Sequence, residues 1–107
     1  MADDAAVDDA PRELARVVDR LRTMPLTRIA SPWAEFPSLA AGARALAQVI
    51  ADRGADAVGI ERRVVPDVGD AAVGDQVAVT GRDYLALGPR ADLAWMAERL
   101  REFRLSI

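Results

Sequence analysis

Apolar residues recur at helical spacing through most of the chain and predict four main helices. These helices are expected over residues 11–24, 38–53, 70–87 and 88–104, where apolar side chains repeat every three or four positions. Pro11, Pro25 and Gly54 stand where a first turn, a helix stop and a C-terminal cap are expected. A short extra turn is expected over residues 26–30. The pattern predicts an all-α fold: a small bundle of four main helices with a short extra turn.

Residues 55–80 leave a second fold open. Residues 58–65 alternate in part between apolar and polar side chains, and residues 76–80 could pair with them as a second strand. The alternative is therefore an α+β fold with a β-hairpin around residues 58–80. Residues 55–69 fit an irregular loop equally well. We favour a helix over residues 70–87, because Val73, Val77, Thr80, Tyr84 and Leu87 line one face at helical spacing.

The length of 107 residues fits one domain. Residues 1–9 carry four aspartates and little apolar content, so we expect a flexible acidic N-terminal lead-in there. Residues 10–107 are expected to form a single helical domain.

The sharpest local signal is a ridge of small residues on the predicted third helix, formed by Ala71, Gly74, Ala78 and Gly81. Its interior glycines each cost about 1 kcal/mol relative to Ala, so a second backbone should pack closely against them. That backbone belongs either to another helix of the same chain or to a partner. Trp33, between two prolines, either plugs the end of the bundle or anchors a partner, and Trp95 lies off its helix's apolar stripe. The predicted interaction surface consists of Ala71, Gly74, Ala78, Gly81, Trp33 and Trp95.

Composition removes most catalytic chemistry. The chain has no His and no Cys, and no Lys or Asn can be found along it. It therefore lacks an imidazole base, a thiolate, a Schiff-base amine and the ligands that zinc prefers. We expect no enzymatic activity, no cofactor and no metal. The preference for Arg over Lys, together with abundant Ala, Asp and Val, is typical of a GC-rich bacterial genome.

Charge and hydropathy bear on partners and location. The net charge of −3 argues against nucleic acid, whose binding needs an excess of positive charge. The start of the chain is acidic rather than basic and apolar, and no run approaches the ~20 apolar residues of a membrane span. We therefore expect a cytoplasmic protein with no membrane partner.

Three functions follow from these patterns. The first is a non-catalytic helical protein–protein interaction module, whose partner is another protein or a second copy in a homodimer. The alternative is a helical domain that binds an anionic small molecule or peptide through Arg62, Arg63 and Arg82, because a guanidinium can clamp carboxylate or phosphate. A weak DNA-binding regulator comes last, and it would use the basic stripe formed by Arg12, Arg16 and Arg20.

Overall fold

The computed structural model describes residues 3–88 and 90–107, with side chains from Val7 onward except that of Ala91. Four long helices and one short helix make up this part of the chain, which confirms the all-α bundle. Turns of 3₁₀-helix at Asp70–Ala72 and Arg90–Asp92 precede the last two helices. The helices are α1 (Asp3–Thr23), α2 (Leu26–Ile29), α3 (Leu39–Val58), α4 (Val73–Leu87) and α5 (Leu93–Ser106).

The β-hairpin alternative is wrong. Residues that it assigned to a second strand lie in α4, and the described residues contain no strand. Residues 59–69 form an irregular connection, as the loop alternative predicted for residues 55–69, whereas residues 55–58 belong to α3. None of the described helices is both long enough and apolar enough to cross a membrane.

The start of α1 and the end of α3 differ from the prediction. α1 begins at Asp3, so the acidic segment is helical from there, whereas residues 1–2 lie outside the described residues. Pro11 is an interior residue of α1, and its exposed ring faces solvent while Ala10 beside it is fully buried. Pro89, predicted at the start of the last helix, lies outside the described residues.

The second difference concerns the end of α3. The helix runs through Gly54 and ends at Gly59, which adopts the left-handed conformation (φ 72°) typical of a C-terminal cap. Gly54 instead lies inside the helix, where an added Cβ would be 3.4 Å from Cδ2 of Tyr84. At the other end Ser38 caps α3, because its hydroxyl accepts a hydrogen bond from the backbone N–H of Ala41 at 3.0 Å.

Helices α3 and α4 run in the same direction. Gly54 of α3 lies beside Tyr84 of α4, while Arg44, about ten residues earlier in α3, forms an ion pair of 3.2 Å with Asp67, just before α4 begins. The connection between the two parallel helices must therefore return along them. We call residues 59–69 the strap.

The strap is held to both helices by glutamine side chains. Gln48 of α3 accepts a hydrogen bond from the backbone N–H of Val65 (2.7 Å) and donates one to the carbonyl of Arg63 (2.9 Å). Gln76 of α4 donates to the carbonyl of Pro66 (2.6 Å). These bonds satisfy backbone groups of the strap that have no strand partner.

α1 packs between α4 and α5. Leu14 and Leu21 of α1 meet α4, where they face Gly81 and Gly74 in the reverse order along the chain. The two helices are therefore antiparallel. α1 also contributes the buried charge of the bundle: Glu13 is 7% exposed and accepts hydrogen bonds of 2.7 and 3.1 Å from Arg104 of α5. The hydrogen bond from Arg104 lowers the pKa of the Glu13 carboxyl, against the opposing effect of burial.

Candidate interaction surface

The small-residue ridge on α4 packs against α1 of the same chain. Ala78 is buried, a Cβ added at Gly81 would overlap Cδ1 of Leu14, and one added at Gly74 would lie 3.2 Å from Cγ of Arg22. The close approach predicted from the glycines is therefore the contact between α4 and α1. This corrects the assignment of Gly74, Ala78 and Gly81 to a surface for partners, since α1 covers them in the folded chain.

Ala71, the fourth residue of the predicted ridge, lies outside that contact. It is exposed and belongs to the 3₁₀ turn that precedes α4. It therefore does not continue the buried row of small residues.

Trp33 plugs one end of the bundle. Its ring stacks on Phe36 (centroids 5.9 Å apart) and meets Phe103 of α5 edge-on at 5.2 Å. Its indole N–H donates to the carbonyl of Ser106 at 3.3 Å. Gly42 makes room for the ring, because a Cβ there would lie 2.5 Å from two indole carbons. Trp33 is half-buried and rigidly held, which fits the structural role that the sequence left open beside the partner role.

Trp95 lies in a different groove, between α3 and α5. The guanidinium carbon of Arg53 lies 4.1 Å from the centre of the Trp95 ring, a cation–π contact. Arg53 also donates to Asp92 at 3.1 Å, and this hydrogen bond raises the pKa of Arg53 and lowers that of Asp92. The charges around Trp95 are thus already paired, and Trp33 and Trp95 do not share one surface.

The three arginines of the anion-binding hypothesis line three different cavities. Arg62 is engaged by Asp56, at 2.6 and 2.9 Å, and lies 3.8 Å from Asp52. Arg63 borders a cleft between α3 and α4, whereas Arg82 borders the groove between α1 and α4. The fold therefore does not bring them together as a clamp.

The basic stripe of α1 is balanced by nearby acceptors. Arg12 lies 3.9 Å from Asp9, and Arg16 lies 3.2 Å from Glu13. Arg20 donates to the backbone oxygen of Ile107. These contacts reduce the positive charge that the stripe could offer to a phosphate backbone.

Most of the exposed large apolar side chains belong to the strap and to the helices at its two ends. Six of the eight large hydrophobic residues exposed in the described part of the chain lie on the strap or on the two helices that it connects. The other two, Leu26 and Leu105, lie on α2 and α5. We call this surface the strap face; its apolar members are Val58, Ile60, Val64, Val68, Val79 and Leu87.

A cleft of about 310 Å³ lies in the strap face, between α3, α4 and the first residues of the strap. Ile50 and Ala55 are buried at its base, and Val58, Ile60 and Leu87 form partly exposed walls. Charged residues complete the lining: Glu61 and Arg63 on the strap, and Asp83 on α4. An apolar centre with charges of both signs around it is typical of surfaces that bind proteins.

Tyr84 also lines the cleft, and its pKa is shifted strongly. Tyr84 is 2% exposed, and burial, followed by the interaction of its hydroxyl with the Asp92 carboxylate, raises its pKa to about 12. This phenol stays protonated at neutral pH and cannot act there as a base. Among the described residues, no three carboxylates gather as potential ligands for a metal ion.

The strap face could not be found from helical periodicity. Its apolar residues come from the end of α3, an irregular segment and the outer side of α4, so no single helical stripe contains them. One signal was available. Ile60, Val64 and Val68 recur within a segment that also carries Pro66 and Gly69, and a loop with that many β-branched apolar residues either covers a core or binds something.

No protein-family model, curated protein or solved structure matched this chain.

Proposed function

We propose that the chain is a small non-catalytic interaction module that self-associates through the strap face. The observation that carries this proposal is an apolar cleft lined by three exposed large apolar side chains, those of Val58, Ile60 and Leu87. Burying apolar surface is worth about 25 cal/mol per Å², so covering these exposed side chains would stabilise a complex.

A second copy is the partner that the charges favour. The rim of the cleft carries Arg63 as well as Glu61 and Asp83, so the surface does not select a partner of one strong charge. A surface with both signs can pair with itself across a two-fold axis, and two-fold dimers are the commonest protein assemblies. The absence of His, Cys and Lys supports a role in binding rather than in catalysis.

Light scattering after size-exclusion chromatography tests the proposal, with a matched pair of variants. Leu87 on the strap face and Leu105 on α5 are both leucines near the end of a helix, and each is 67% exposed. We expect the wild-type chain to dimerise as its concentration rises through roughly 1 μM to 1 mM. Leu87→Gln should weaken the dimer about tenfold or more, because a buried leucine contributes about 1.5–3 kcal/mol.

Leu105→Gln is the control and should leave the dimer unchanged. A wild-type chain that stays monomeric over the whole concentration range would refute the proposed function. Equal effects of the two variants would show that the interface lies elsewhere.

A further inference from the structure

We infer, on the basis of the proposed function, that the two copies meet about a two-fold axis parallel to α3 and α4, with Leu87 of each copy in the cleft of the other, against Ile60. Three features favour this arrangement: the height of each residue (its position along the helix axes), the shape of the strap face, and the charges beside the cleft.

The height of each residue along the cleft follows from the contact between Gly54 and Tyr84. Because α3 and α4 are parallel and these two residues lie side by side, the ends of both helices reach the same end of the bundle. Val58, Leu87 and the start of the strap at Ile60 therefore lie at similar heights, and all three line the cleft. A rotation about an axis parallel to the helices leaves height unchanged, so Leu87 of one copy arrives level with Ile60 of the other.

The shape of the face favours this axis. The first residues of the strap and the last turns of α4 border the cleft, and α3 lines it as well. An axis placed between the cleft and α4 seats α4 of each copy over the cleft of the other, which buries Leu87 twice. An axis across the helices stacks strap on strap and α4 on α4, and it leaves the two clefts facing each other unfilled, which forfeits packing contacts.

Charge favours the same arrangement. With α4 over the partner's cleft, Asp83 of each copy approaches the rim on which Arg63 lies, and opposite charges meet twice. With α4 on α4, Asp83 of one copy approaches Asp83 of the other, and like charges repel. Arg63 has no ion pair within its own described chain that would compete, since the ion pairs on this side are formed by Arg44 and Arg62.

Cysteine cross-linking tests the axis cleanly, because the chain has no cysteine of its own. Ile60→Cys and Leu87→Cys are prepared separately, one of them with a size tag, mixed, and treated with a short bis-maleimide. We expect the mixed product, which joins position 60 of one copy to position 87 of the other, to form at least about tenfold faster than the product that joins position 60 of both copies. Ile60→Cys mixed with Leu105→Cys is the control and should give background product only.

Charge exchange gives a second readout that does not depend on introduced thiols. Arg63→Glu and Asp83→Arg should each weaken the dimer about fivefold, and the double variant should recover most of the loss, because it restores the pair with its signs reversed. Thermal unfolding of the variants at a concentration where they are monomeric should be unchanged.

Failure of this inference is distinguishable from failure of the proposed function. A chain that dimerises and is sensitive to Leu87→Gln, yet cross-links fastest between position 60 of one copy and position 60 of the other, would overturn the axis while leaving self-association intact. A double charge variant weaker than either single variant would also overturn it. A chain that is monomeric throughout would overturn both proposals.

Discussion

Adding one methyl group at Gly81 should destabilise the bundle, although the same change usually stabilises a helix. Gly81 lies inside α4, where Gly→Ala is worth about 1 kcal/mol of helix propensity. A Cβ at Gly81 would overlap one terminal methyl carbon of Leu14 and lie only 2.7 Å from the other. Leu14 must leave its rotamer or α1 must move away, and such overpacking costs about 1–3 kcal/mol. We expect a net loss of about 1 kcal/mol.

Gly74 is the matched control in the same helix. A Cβ there would lie 3.2 Å from Cγ of Arg22 and 3.4 Å from Cβ of Leu21, and the exposed arginine can yield. The propensity gain should therefore dominate, and Gly74→Ala should be neutral or stabilising by up to about 1 kcal/mol. The two alanine variants then differ by about 1–2 kcal/mol, several degrees in melting temperature for a domain of this size.

Urea denaturation followed by circular dichroism measures both variants, and Leu14→Ala completes a double-mutant cycle. Removing the Leu14 side chain makes room for the new methyl group, so Gly81→Ala should become stabilising in that background. If Gly81→Ala stabilises the wild-type chain as much as Gly74→Ala does, or if its effect is the same with and without Leu14, then the close approach of α1 and α4 at this point is not what constrains Gly81.

Two further predictions concern ionisable groups. Glu13→Gln should cost about 1.5–3 kcal/mol at neutral pH, because it removes the negative charge that pairs with Arg104 and replaces one of the two accepting oxygens with an NH2 donor. Asp9→Asn, in an exposed pair, should cost little, and chemical denaturation of both variants checks this. Since the folded-state pKa of Glu13 is lowered, its contribution is present above its ordinary value of 4.5 and is lost as the pH falls below it, so the variant should lose less stability on acidification than the wild type. Tyr84 is the single tyrosine, and ultraviolet titration of the folded chain should give a phenolate midpoint near 12, against about 10 in urea. Because the fold favours the protonated form, stability should decline as the pH rises from 10 towards 12; a folded-state midpoint near 10 would contradict the burial of this hydroxyl.

The helical stripes were predictable because a buried helix face repeats at a fixed period, as in α4, where Val73, Val77 and Tyr84 are all buried. The interior glycines of α4 also carried usable information: their unfavourable propensity indicated a close neighbour, which proves to be α1. Local chemistry could not say whether that neighbour belonged to the same chain.

Errors arose where tertiary contacts overrode local signals. Gly54 has the sequence features of a helix end, but the helix continues because the Tyr84 ring packs beside it and a later glycine, Gly59, provides the left-handed cap. Pro11 has the features of a helix start, yet α1 begins at Asp3 and Pro11 lies in its interior, where it supplies no backbone N–H. The strap face is formed by the end of α3, the strap and α4 together, and the sequence of any one segment does not show that the three assemble into one surface.

The return path of the strap makes its length adjustable. Residues 59–69 could span roughly 33 Å if fully extended, whereas the distance back along α3 from Val58 to Arg44 is roughly 21 Å at the rise of an α-helix. The connection therefore has slack, and two or three residues could be removed or added without moving α3 against α4. Such an insertion or deletion would reposition Ile60 and Arg63 while α3 and α4 keep their contact, so the surface proposed to bind a second copy can change without a change in the helical framework.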